Sequence, residues 1–165
     1  MKNLIFSGAV LAAFFAQPAA AREWPDLQNW FFFEDSDFCE MATTYGEKDE
    51  VKFSIVMMTN GKAMIGASGT QWSFENDKPY DIRYAIDEDT VGEAKVRGWV
   101  DGDYKGFITE AEPVFIDDMM KSGFFLFSAD AANAKDNMDV SGSDQAYAQL
   151  KACVAELKKK GGIAQ

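Results

Sequence analysis

A mainly β domain, an antiparallel sandwich or barrel-like sheet with a short helix near residues 113–122 and a C-terminal helix over 143–160, is the fold class this sequence predicts. Three observations carry it. Apolar and polar residues alternate at the two-residue period of half-buried strands, as where Val51, Phe53, Ile55 and Met57 interleave with Lys52 and Ser54. Turn dipeptides, Asn60-Gly61 and Asp101-Gly102, separate such runs. Near the end the period changes: Tyr147, Leu150, Val154 and Leu157 recur at three- and four-residue steps, one apolar stripe along a helix.

The elements follow in order. Residues 24–34 hold Trp30, Phe31, Phe32 and Phe33 in a row, which suggests a strand buried on both faces, although so short a run does not exclude a helix. An acidic loop with Glu34, Asp35 and Asp37 leads to a strand over 38–45. The next hairpin has Asn60-Gly61 as the two positive-φ residues of a type I′ turn, which sets Met57 opposite Met64. Trp72 and Phe74 form a short piece before a turn at 76–79. Ile82, Tyr84 and Ile86 then alternate with Asp81, Arg83 and Asp87 in a strand, and Asp87, Glu88 and Asp89 make the next loop. Residues 95–100 and 104–109 pair around Asp101-Gly102. Pro113 at a first helical position, with Phe115, Ile116, Met119 and Met120, marks a helix that ends at Gly123. Residues 124–128 are the most apolar strand, and 129–137 read as a polar and alanine loop. Met138 and Val140 alternate with Asp139 and Ser141 as a strand that Gly142 breaks. Ser143 suits the helix cap, Asp144 its positive end, Lys158 to Lys160 its negative end and Gly161 its stop.

Residues 1–21 have the features of a secretion signal: a short basic opening, thirteen uncharged and mostly apolar residues from Leu4 to Ala16, and the small residues Ala19, Ala20 and Ala21. The apolar run is too short to span a bilayer, and no cysteine follows it to carry a lipid. Residues 22–165 are then a single exported domain without a membrane anchor. Without Lys2, 15 of the 16 basic residues face 27 acidic ones, a net charge of −12 for that domain. Such a field repels nucleic acid and steers a basic protein in. Export also implies an oxidising compartment, where Cys39 and Cys153, the only two cysteines, are expected to form a disulfide.

Histidine is absent, which excludes Ser-His-Asp and Cys-His catalysis, histidine-ligated zinc and ordinary haem ligation. Carboxylate chemistry survives, but no spacing singles out a catalytic pair such as a two-carboxylate hydrolase needs. Asp101, Asp103, Gly106 and Glu112 fall on positions of a calcium loop, yet Lys105 stands where a ligand oxygen is required and strand residues precede the loop, so a solvated hairpin turn is expected. The methionine pairs at 57–58 and 119–120 have the softness copper(I) selects, but they sit in apolar elements where methionine fills gaps. No catalytic residue, metal ligand or cofactor is assigned.

The strand ending at Ile86-Asp87, the segment 115–123 before the strand 124–128, and the ending VSGSDQAYAQLKAC over 140–153 resemble the invasion-associated locus B family, small exported proteins of alphaproteobacteria. That resemblance implies a β-rich periplasmic or surface domain without an established active site. The expected function is recognition: a non-enzymatic envelope protein that binds another protein, with Asp35, Asp37 and Phe38 in one loop, or Asp87, Glu88 and Asp89 in another, facing the partner. A narrower alternative is an acidic inhibitor or immunity protein that blocks a basic envelope enzyme such as a lysozyme.

Overall fold

Nine antiparallel strands make one sheet in the computed structural model, which describes residues 24–47, 50–87 and 89–162. They are β1 (Phe31–Glu34), β2 (Phe38–Tyr45), β3 (Val51–Met58), β4 (Ala63–Gly69), β5 (Pro79–Ala85), β6 (Val91–Asp101), β7 (Tyr104–Ala111), β8 (Phe124–Ala129) and β9 (Ala134–Asp139). Their order is β1-β2-β3-β4-β7-β6-β5-β8-β9, and the sheet curls into a half-barrel. Helix α1 (Pro113–Ser122) starts on its proline and stops at Gly123, whose φ of 86° is left-handed. Helix α2 (Asp144–Gly162), not a second sheet, packs across β2 and β3, so the barrel-like form of the expected fold is the one realised. Residues 1–21, where a secretion signal is expected, and Arg22 lie outside the described residues, as does Glu88.

The core is aromatic. Phe53 stacks on Phe125 at 5.7 Å between centroids, Phe125 on Phe127 at 5.9 Å, and Trp72 and Phe107 meet Phe127 edge-on at 5.2 and 5.1 Å. Trp72 and Phe74 reach it from a segment that is not a strand, held by Ser73 N–H donating to the Ala132 carbonyl. Cys39 and Cys153 are bonded, with Cα atoms 6.2 Å apart. Cys39 belongs to β2, so the bridge ties α2 to the second strand. Beside it Glu34, 6% exposed, accepts from the Trp24 indole at 2.7 Å and from Lys160 at 2.9 Å. The lysine run at the end of α2 thus reaches an acid at the end of β1.

Several expectations need correction. The aromatic run of 24–34 is a strand only from Phe31: Trp30 is buried, whereas Phe31 and Phe33 are each 53% exposed. An edge strand covered on one face alternates instead of burying both faces. Before it, Gln28 and Asn29 both have positive φ in a tight turn closed by Leu27 and Trp30. The Asn60-Gly61 turn is a three-residue loop, Thr59 to Gly61, in which Gly61 alone is left-handed (φ 89°) and Met58 exchanges bonds with Gly61 and Lys62. Met57 therefore pairs with Ala63 and Val56 with Met64. That register sets Phe53 and Ile55 opposite Ala67 and Ile65, on the buried face, where the two-residue turn would have matched them to Ser68 and Gly66.

The β6–β7 turn residues are Gly102 and Asp103, between the paired Asp101 and Tyr104. Residues 129–137 are not a loop: a single 3₁₀ turn, Asp130–Ala132, leads into β9, where Ala134 and Met138 are buried and Lys135 and Asn137 exposed. That strand stops at Asp139, and Val140 follows with its N–H on the Gly123 carbonyl. Ser143 does not use its hydroxyl as a cap. It accepts from the Trp30 indole at 2.8 Å, and the side-chain oxygen of Gln28 takes the Ala146 N–H instead.

Candidate binding groove

Residues opposite each other on paired strands share a face, so the register generates rows of side chains running across the sheet. On the face turned away from α2, one row reads Phe33, Glu40, Val56, Met64 and Glu110. The next reads Phe31, Ala42, Ser54, Gly66 and Ile108. The third passes through Lys52, Ser68, Gly106 and Trp99. The middle row is small from Ala42 to Gly66, while Glu40, Val56 and Met64 stand on one side and Lys52 and Trp99 on the other. A trough results, with a cavity volume of about 340 Å³, and Phe38 and Met58 extend its wall. From Phe31 to Ile108 it crosses four strand spacings, roughly 19 Å at about 4.8 Å each.

Gly66 supplies the depth. A Cβ there would lie 3.2 Å from the Ser54 hydroxyl oxygen and 3.4 Å from the Phe107 carbonyl, so a side chain would both crowd the floor and fill the space above it. The apolar surface does not stop at the trough. Phe31 and Phe33 continue it to the free edge of the sheet, with the Phe33 ring 5.9 Å from that of Phe38, and Trp99 (41% exposed) and Ile108 (37% exposed) continue it the other way.

Two charges lie in this apolar setting. Lys52 sits on the Tyr104 ring, 3.6 Å from its centroid, where the π face attracts the ammonium. Glu40 is half-buried; burial holds its carboxyl above the ordinary 4.5, against the opposing pull of a hydrogen bond from Ser54. Among the described residues no cation is within ion-pair distance of it. A carboxyl whose folded pKa exceeds its unfolded one costs stability when ionised, and the cost vanishes below pH 4.5, where both states are protonated. Glu40→Gln is therefore expected to melt above the wild type at pH 7 and level with it once the pH falls below that value. Thermal unfolding across the pH range checks this, and a variant that melts lower at pH 7 would show that the carboxylate is held by favourable contacts.

The structure brings only part of the expected partner-binding set to the groove. Asp35 and Asp37 are exposed in the β1–β2 turn, and Phe38 begins the groove wall beside them. The β5–β6 turn projects from the same end of the sheet, but β3, β4 and β7 stand between β2 and β6. There Asp87 accepts from the Thr90 N–H, from the Thr90 hydroxyl at 3.0 Å and from the Asp89 N–H at 2.9 Å, contacts that, the Thr90 N–H foremost, hold its carboxyl below the ordinary 3.8. Asp87 closes its own turn. Asp89 is exposed next to it, and Glu88 lies outside the described residues.

Asp101 and Asp103 sit at the opposite end of the sheet from Glu112, separated by the eight residues of β7, about 26 Å of extended chain. The calcium-loop spacing is thus pulled straight. Met57 and Met58, consecutive on β3, point to opposite faces, while Met119 and Met120 are core residues. The groove residues that sequence reasoning passed over are Glu40, Ala42, Ser54, Met64 and Trp99. Their signal was the second face of strands whose first face had been read as core.

No protein-family model and no curated protein matches the chain. Among solved structures, invasion associated protein B from Bartonella henselae aligns with a TM-score of 0.55 at 13% sequence identity, over 75% of this chain and 92% of that one. The likeness is one of fold. It meets the resemblance expected from the sequence at the level of backbone path and assigns no residue a role.

Proposed function

We propose, from the fold shared with invasion associated protein B, that this chain is an exported, non-enzymatic envelope protein that binds another macromolecule along the groove and the aromatic edge beside it. The observation that carries the reading is the continuity of that apolar surface, from Trp99 and Ile108 through the trough to Phe31 and Phe33 on an edge strand. The two edges of the sheet differ. β9 carries the charges Lys135, Asp136 and Asp139, whereas β1 exposes Phe31 and Phe33 and keeps its one charge, Glu34, buried. An apolar face that runs out to exposed aromatic rings at the edge suits a protein partner better than a small molecule, which needs only the trough.

Non-enzymatic action is supported by the chemistry of the lining: among the described residues the trough has one carboxylate, Glu40, and one lysine seated on a ring, where general acid–base hydrolysis needs a pair of acids. The narrower alternative, an inhibitor of a basic envelope enzyme, is favoured by the meeting of Asp35 and Asp37 with Phe38 at the groove's end.

The test is kinetic. With the partner recovered from the native envelope, association is expected to exceed the unsteered rate of about 10⁵–10⁶ M⁻¹s⁻¹ at 0.1 M salt. It is expected to slow toward that rate at 1 M, as the Debye length contracts from about 10 Å to about 3 Å. Asp35→Lys with Asp37→Lys should slow association and change dissociation less, because rim charges act on encounter. An association rate indifferent to salt contradicts the reading, as does turnover of a cell-wall substrate that Glu40→Gln abolishes.

A further inference from the structure

The groove differs from an ordinary apolar docking face in containing a carboxylate that has no ion-pair partner among the described residues. Glu40 stands in the wall row between Phe33 and Val56, with the Ser54 hydroxyl as its hydrogen-bond donor, and the other charge in the trough, Lys52, is seated on Tyr104. Across the trough from Glu40 the floor is Ala42 and Ser54, which leaves room beside the carboxylate, and Val56 and Met64 give the wall an apolar surface. Lysine and arginine are the side chains that combine an aliphatic stem with a terminal cation, and they lay the stem on apolar surface while the head takes a polar partner. A half-buried carboxylate left alone is costly, and a cation that arrives with its own apolar stem removes the cost without opening the groove to water. The chain's negative balance, −11 over its full length, adds attraction for a basic segment from farther out.

We infer that the trough receives a basic side chain from the partner protein, its stem along Val56 and Met64 and its cation on the Glu40 carboxylate. This rests on the proposed function and adds the chemistry of what enters the groove. The occupant is an apolar stretch of protein with one lysine or arginine directed at the wall row, and the same carboxylate disfavours a purely aliphatic segment and an acidic one more strongly.

The probes are octylammonium, octan-1-ol and octanoate, which share a chain and differ in the head. Binding is followed by amide shifts of Ala42 and Gly66 and the indole shift of Trp99 in the full exported domain. Octylammonium is expected to bind about tenfold more tightly than octan-1-ol, the ratio for one charge-assisted hydrogen bond, with octanoate weakest. Glu40→Gln should bring the ammonium-to-alcohol ratio to about one and weaken the envelope partner about tenfold. Octanoate binding as tightly as octylammonium overturns the inference. A partner that binds Glu40→Gln as well as wild type also overturns it; if that partner is still lost when the trough is filled by Ala42→Phe, the binding function stands and only the basic occupant falls. A melting curve of Glu40→Gln no lower than wild type at pH 7 confirms that the comparison is between folded proteins.

Discussion

Replacing both cysteines, Cys39→Ala with Cys153→Ala, is expected to remove up to about 4.7 kcal/mol of stability, the chain-entropy value for closing a loop of about a hundred residues; the loop here spans 114. For a domain of this size that loss lowers Tm by roughly 10–15 °C. The effect is large because the bridge is long-range and because each half sits where two elements meet. Cys39 lies in β2 among core residues, Cys153 on the inner stripe of α2, and each is 1% exposed. Close by, Glu34 holds Trp24 and Lys160, so the same spot gathers the chain before β1, the end of β1 and the end of α2. Burial also delays reduction: the native protein should present no alkylatable thiol without reductant, and mild reductant should act only as fast as the region opens. Thermal unfolding of oxidised protein and the double-alanine variant measures the difference. An unchanged Tm, or two freely alkylated cysteines in the native protein, contradicts it.

The bridge, both helices and most strands were legible because each leaves a local mark. Pro113 and Gly123 bracket α1, and Tyr147, Leu150, Val154 and Leu157 write α2's inner stripe. The failures arose where a choice is settled by distant partners. Asn60-Gly61 looks like a two-residue turn in isolation, yet Ala63, Ile65 and Ala67 have to meet Met57, Ile55 and Phe53 on the buried face, and that demand selects the three-residue loop. β9 was hidden because alanine and charge dilute its alternation, although β8 pairs it along its whole length. Ser143 has the residue type of a cap, and only the fold brings the Trp30 indole to it. The groove was the least legible feature. Its floor is a row of small residues drawn from β2, β3 and β4, so no single stretch of sequence contains it, and Glu40 reads along the chain as one acid among 27.

Filling the trough carries the other large expected effect. Ala42→Phe places a ring on the middle row, between Phe31 and Ser54, on a face that α2 does not touch, where an aromatic residue suits a strand. Stability should change little, while the space proposed to accept the partner closes. Loss of the central pocket of an interface typically costs ~2 kcal/mol or more, so affinity for the envelope partner is expected to fall by at least about thirtyfold, chiefly through faster dissociation. Ser54→Leu, which adds bulk to the same row from the neighbouring strand, guards against an accident of one substitution. The most direct measurement is the dissociation constant of that partner for wild type, Ala42→Phe and Ser54→Leu, each first shown to melt within a few degrees of the others. Binding that collapses in both filled variants and survives Asp87→Lys with Asp89→Lys is the predicted result; full affinity in a folded, filled variant would place the partner elsewhere and contradict the account.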